Sequence, residues 1–148
     1  MIGLLQRVSR AGVVVGGESI AEIGPGLLVL VGVERGDGEP EAKRLAERLL
    51  AIRVFEDGRG RMNLNVVERG GSVLLVPQFT LAADTSRGNR PGFSAAAEPA
   101  AAESLFGELV AQFETRGLRP ACGRFGARMQ VNLTNDGPVT LWVRVPPK

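Results

Sequence analysis

A chain of 148 residues, 44% hydrophobic and 23% charged with a net charge of +2, is long enough to bury a core without staples and is expected to form one domain, residues 1–148. It contains no histidine, no tyrosine and a single cysteine, Cys122. That inventory excludes Ser–His and Cys–His catalysis, zinc sites made of His and Cys, and an internal disulfide. The opening stretch Met1-Ile2-Gly3-Leu4-Leu5-Gln6-Arg7 is broken by polar residues too early for a signal peptide. The longest apolar run, Leu27 to Val33, is too short to span a bilayer, so a cytoplasmic protein is expected. Lys43 and Lys148 are the only lysines among 18 basic residues. Arginine suits phosphate because its planar fork donates two hydrogen bonds at once. A genomic preference for arginine codons explains the same count, so charge permits an RNA partner without establishing one.

In chain order, Leu4 to Ser9 and Gly12 to Val15 read as strands leading to Gly16-Gly17, a pair suited to a tight hairpin turn. Glu18 to Ile23 returns, Gly24-Pro25-Gly26 punctuates, and Leu27 to Val33 follows without alternation, as expected of a strand buried on both faces. A helix then starts with Asp37 as cap and Pro40 in its first turn. Ala42, Leu45, Ala46, Leu49 and Leu50 form its apolar face. Strand-like segments come at Ile52 to Phe55 and Ser72 to Val76, and Thr85 to Gly92 is a polar, irregular loop. A second helix runs from near Pro99 to Gly117, burying Leu105, Phe106, Leu109, Val110 and Phe113. Two last strands, Met129 to Thr134 and Val139 to Val145, flank Asn135-Asp136-Gly137-Pro138. These elements predict one α/β domain with a mostly antiparallel sheet and two helices.

Three segments could carry chemistry. Pro77-Gln78-Phe79-Thr80-Leu81 ends an apolar strand in polar side chains that could meet a substrate or simply satisfy their own loop. Asn135-Asp136-Gly137-Pro138 reads first as a plain turn, since all four are turn formers. Yet Pro138 removes a donor that a hairpin ladder could use, and Gly-Pro is among the few bonds that can be cis at modest cost. Ala83 to Phe93 carries Arg87 and Arg90 among Ser, Thr and Asn, which are common donors to phosphate oxygens; an ordinary solvated loop has the same composition. Cys122 has nothing nearby in sequence to lower its pKa.

At these segments the chain resembles bacterial D-aminoacyl-tRNA deacylases, from Met1 to about Val143. The resemblance is carried by Gln6-Arg7-Val8-Ser9-Arg10-Ala11, Ile23 to Leu30, Arg53-Val54-Phe55-Glu56-Asp57, Met62-Asn63-Leu64, Gln78-Phe79-Thr80-Leu81, Gly123-Arg124-Phe125-Gly126-Ala127 and Asn135 to Thr140, in order. It implies a barrel-like deacylase fold and a homodimer with both sites at the subunit interface. Gln78, Phe79 and Thr80 match the family's catalytic strand end, and Gly137-Pro138 match a Gly-cisPro motif that enters the neighbouring subunit's pocket. Arg7 matches the residue holding that motif, and Met129 falls where the family lines the pocket. Arg87 and Arg90 are the candidate tRNA phosphate contacts. The implied partner is the 3′ end of aminoacyl-tRNA, with no membrane, no DNA, no cofactor and no metal. The implied reaction is hydrolysis of the D-aminoacyl ester, and of glycyl-tRNA mischarged on tRNA-Ala.

Rigid carbonyl oxygens close to the α-carbon would exclude an L side chain while leaving room for D-residues and glycine, so selectivity would come from rejection. Without histidine two mechanisms fit. Thr80 could be a nucleophile, although the motif offers no base. Alternatively the ribose 2′-hydroxyl activates water while amides near Phe79 and Thr80 hold the oxyanion; the second is favoured. Three departures bear on specificity: Pro77 stands where most of the family has serine, Ala82 where tyrosine is usual, and Gly92 where serine is usual. Pro77 is similar to a sister branch that clears L-alanine and would require a trans Gly137-Pro138 bond. A non-catalytic nucleic-acid-binding module is the rival from another class.

Overall fold

The computed structural model describes residues 1–148. Its backbone is organised around β1 (Ile2–Val15), a single 14-residue strand where two shorter ones were expected. The turn at Gly16 and Gly17, both at positive φ, returns the chain as β2 (Glu18–Ile23), antiparallel to the second half of β1. Strand β3 (Gly26–Gly32) is antiparallel to the first half, so β2 and β3 share one edge of β1. The other edge pairs with β8 (Gln130–Arg144) over nearly its whole length.

The sheet is mostly antiparallel, as expected, but not purely so. Strand β6 (Ser72–Pro77) runs parallel to β3, and β7 (Ala121–Cys122) parallel to β6. Helical crossovers make this possible, because a parallel return needs a long connection. The first crossover contains α1 (Glu39–Ala51), then a short ribbon of β4 (Phe55–Glu56) and β5 (Met62–Leu64), then α2 (Val66–Arg69). The second contains α3 (Pro99–Thr115). There are thus three helices where two were expected. The extra one, α2, is closed by a reciprocal capping box: Asn65 accepts from the Glu68 amide at 2.9 Å while Glu68 accepts from the Asn65 amide at 3.0 Å. Gly70 ends it in the left-handed region at φ 69.

Asp37 does not cap α1. Gly38 takes that position, with its amide donating to Glu41 at 2.8 Å. The Asp37 carboxylate instead accepts from the Met1 ammonium at 2.7 Å and from the Glu34 amide at 2.6 Å. No helix is long and apolar enough to cross a membrane.

Both faces of the sheet are buried, which is why β3 lacks alternation. One face, with Leu5, Leu27, Val29 and Leu75, packs beneath Leu45 and Leu49 of α1 and Leu109 and Phe113 of α3. The curled sheet closes its other face on itself around Val8, Val13, Leu28, Leu74 and Val76. Truncating any one of these leucines to alanine is a loss of about 2–5 kcal/mol. Gly26 has a positional requirement: a Cβ there would collide with the backbone of Ser72, its partner on β6.

Candidate active site

The apolar run of β6 delivers Pro77, Gln78 and the following 3₁₀ turn, Phe79–Ala82, to the edge of the sheet. The turn's first bond is donated by the Leu81 amide to the Gln78 carbonyl at 3.2 Å, which leaves the Phe79 and Thr80 amides outside its ladder. The Gln78 side-chain amide donates to the Thr80 hydroxyl. Phe79 is 57% exposed and its ring lies 5.2 Å from that of Phe93, centre to centre.

Beside this turn is a cavity of about 450 Å³. Gln78 and Phe79 form one wall, Phe125 and Ala127 another, and Met129 and Val131 the floor towards β8. Gly123 makes the floor possible: a Cβ there would lie 2.9 Å from the Met129 sulfur and 3.3 Å from Pro77. The same sulfur accepts from the Arg124 amide at 3.4 Å. The cavity is a mostly apolar slot with a polar lip, suited to a flat, uncharged group whose reactive end emerges at Gln78–Thr80.

Gly137 and Pro138 are not in this cavity, nor is Arg7. The segment is also not a hairpin turn between two strands. Strand β8 runs straight through it, and Asp136 to Val139 form a bulge opposite Arg7, between the pairs Val8–Asn135 and Gln6–Thr140. The Gly137–Pro138 peptide is cis. Arg7 is mostly buried and holds the bulge from behind, its Nε donating to the Asp136 carbonyl at 3.0 Å and its Nη1 to the Val54 carbonyl at 2.7 Å. Asn135 closes the other side, accepting from the Val139 amide at 3.0 Å and donating to Thr140 at 2.9 Å. Gly137 sits at φ 132, and a Cβ there would lie 3.0 Å from Arg7 Nη2. From Arg7 to Val14, the partner of Gln130, is roughly 23 Å of strand at about 3.3 Å per residue.

Gln78, Phe79, Thr80 and Met129 are therefore brought together, and Arg7, Gly137 and Pro138 form a second, separate group. Arg87 and Arg90 lie on an exposed loop whose base is pinned by reciprocal Asp84–Gly92 backbone bonds of 2.7 and 2.9 Å. Phe93, just past that base, connects the loop to Phe79. Phe125 and Ala127 carry no role in the sequence reading; two glycines bracketing an aromatic in Gly123 to Gly126 were the signal for a wall built close to its neighbours. Burial pushes the Cys122 thiol pKa up, with the nearby Glu114 charge adding to it, so it is a packing residue.

The D-Tyr-tRNA(Tyr) deacylase family model matches residues 4–144. This chain belongs to that family. It is 59% identical over 147 residues to a D-aminoacyl-tRNA deacylase of Nitrosococcus oceani, covering 99% of this chain and 95% of that one. It is 58% identical over 145 residues to one of Klebsiella pneumoniae, covering 98% and 100%. Among solved structures, a c-Myc DNA unwinding element binding protein superposes with a TM-score of 0.93 at 39% identity over 99% of both chains. A probable eukaryotic D-amino acid tRNA deacylase has the same fold, with a TM-score of 0.79 at 16% identity over 96% of this chain and 97% of that one.

Proposed function

We propose that this chain is a D-aminoacyl-tRNA deacylase, a single-domain esterase that works as a homodimer. The observation that carries the reading is the Gln78–Thr80 turn at the lip of an apolar cavity. That cavity suits the terminal adenosine, and the lip would then meet the ester on its ribose. Water adds to the ester carbonyl, the Phe79 and Thr80 amides hold the oxyanion, and the ribose oxygen leaves with a proton. The hydroxyl of Thr80 accepts from Gln78 and has no carboxylate to deprotonate it, which favours the substrate's own 2′-hydroxyl as the proton carrier.

A second copy supplies what one chain keeps apart. The Gly137–Pro138 bulge, braced by Arg7 and Asn135, presents main-chain oxygens that cannot rotate aside, and inserted into a partner's cavity they reject an L side chain. Two features support pairing of copies. Strand β8 leaves a 15-residue outer edge unpaired, and Trp142 is 54% exposed on the sheet face that Leu4 and Leu30 continue. Glycyl esters pass the same filter because they have no Cβ.

The test is ester loss from matched D- and L-tyrosyl-tRNA, with EDTA present. Selective cleavage of the D-ester is expected. Cleavage of the L-ester alone would point to the sister activity on L-alanyl-tRNA. Cleavage of neither by folded protein would leave nucleic-acid binding, the property for which the 39%-identical neighbour is named, as the reading to pursue.

A further inference from the structure

The charge distribution around the cavity is uneven in a way that the ester chemistry does not require. Besides the Val76–Phe79 strand end and Pro99 and Ala102 of α3, two further segments border it. Thr85 to Ala97 reaches it through Phe93, tilted against Phe79, and through Ala97 in its wall. Arg116 to Thr134 supplies Phe125, Ala127 and Met129. The first contains Arg87 and Arg90, the second Arg116, Arg119, Arg124 and Arg128, and neither contains a single Asp or Glu, so all 16 acidic residues lie elsewhere. Of these six arginines only Arg116 is in an ion pair, with Glu47 at 3.2 Å.

Arg124 and Arg128 are held in a defined way. The Gly123 amide donates to the Leu75 carbonyl at 2.8 Å and the Ala127 amide to the Arg124 carbonyl at 3.2 Å, with Gly126 at φ 76 making the turn. Along this turn exposure alternates. Phe125 and Ala127 face the cavity, while Arg124 and Arg128 on either side are exposed. The turn thus places its apolar residues along the slot and leaves two exposed arginines without an ion pair on either side of them.

We infer that Arg124 and Arg128 form, with the Arg87–Arg90 loop across the slot, a cradle for the backbone phosphates of the single-stranded RNA leading to the terminal nucleoside. The inference rests on the deacylase reading for its substrate and adds the residues that grip the polynucleotide. A nucleoside seated in the slot has its 5′ phosphate outside it, where unpaired arginines raise the local concentration of polyanion, while Glu98, between the lining residues Ala97 and Pro99, is paired with Arg35. Phosphate contacts of this kind set position and carry no base specificity.

The experiment compares wild type with the double variant Arg124→Ala/Arg128→Ala on D-tyrosyl-tRNA and on D-tyrosyl-adenosine, which has the same ester and no phosphate. A Lys43→Ala/Arg44→Ala variant on α1 removes equal charge away from the cavity. The rim variant is expected to raise KM for the tRNA ester about tenfold, with kcat kept. It should also flatten the slope of log(kcat/KM) against log[salt] by about 1.4, two single-strand phosphates at ~0.7 each, and fall less than twofold on the adenosine ester. The α1 variant should follow wild type. A rim variant with wild-type KM and salt slope overturns the cradle while leaving the deacylase reading intact; equal losses on both esters also overturn it, since the arginines would then shape the slot. Wild type that cleaves neither ester sinks the deacylase reading. In that case, binding of a short single-stranded RNA ending in adenosine, followed by fluorescence anisotropy, still decides the cradle: unaltered affinity in the rim variant refutes it.

Discussion

The Arg7 guanidinium donates to the Asp136 main-chain oxygen at 3.0 Å and ties the middle of β1 to the four-residue bulge of β8. Its second bond, to Val54 at 2.7 Å, uses a different nitrogen, so the fork and not merely the charge is engaged. If the bulge excludes L side chains, Arg7→Ala should loosen it and raise kcat/KM on L-tyrosyl-tRNA at least tenfold relative to the D-ester. Arg7→Lys should not restore the ratio. An unchanged ratio in either variant would dissociate Arg7 from selectivity.

Gly137→Ala addresses the same segment through stability. At φ 132 an L side chain is strained, and its Cβ would lie 2.9 Å from Val139 Cγ2 and 3.0 Å from Arg7. A loss of about 1–3 kcal/mol is expected in urea unfolding. A wild-type midpoint would mean that the bulge relaxes freely.

Thr80→Ala separates the two chemical routes. With the hydroxyl acting only as an acceptor for Gln78, the variant should keep kcat within about tenfold, less than the roughly hundredfold or more that a positioned acid–base group contributes. Complete loss of turnover in a folded protein would reinstate Thr80 as nucleophile.

Trp142→Glu tests assembly. Placing a charge at this exposed position of β8 should convert the protein to monomer in sedimentation analysis and abolish turnover, while far-UV circular dichroism stays that of wild type. A monomeric variant with full activity would contradict a site shared between copies.

The amino-terminal cluster gives the pH prediction. Burial raises the Glu34 pKa, but the Arg144 fork, at 2.8 and 3.1 Å, and the Met1 ammonium outweigh it and hold the carboxyl below its usual 4.5. A lowered folded-state pKa adds stability above pH 4.5 that is lost as pH falls through the folded value. Asp37 opposes this, since burial raises its pKa above 3.8 despite the ammonium beside it. Glu34→Gln should therefore be less stable than wild type at pH 7, and its urea midpoint should fall less between pH 5 and pH 3. Parallel acid limbs would show that Glu34 has no part in them.

Much of this was legible locally. The unbroken apolar run of β3, the Gly16-Gly17 turn and the apolar stripe of α1 all translate directly into structure, because each depends on near neighbours in sequence. The Asn65–Glu68 capping box that starts the unexpected α2 is equally local. Asp37 was assigned as a cap from its own preference, whereas a buried ammonium 36 positions away claims its carboxylate. Parallel pairing of β3, β6 and β7 depends on crossovers that periodicity does not encode. The family motifs located the Gln78–Thr80 turn and the Gly137 bulge. Residue types alone made the bulge a turn, since the pairing of β1 on both sides of it is a long-range fact.

That bulge also resets the parity of β8. Val8 and Gln6 are two apart on β1, but their partners Asn135 and Thr140 are five apart, an odd interval. Odd-numbered residues before the bulge, such as Val131 and Leu133, therefore share a sheet face with even-numbered Thr140 and Trp142 after it. Deleting one residue from Asp136–Val139 would leave an even interval, and Thr140 to Arg144 would have to swap sides wholesale or abandon β1. Val143, buried beneath α1, would be turned outward and Trp142 inward. The segment should thus tolerate some changes of residue type far better than any change of length.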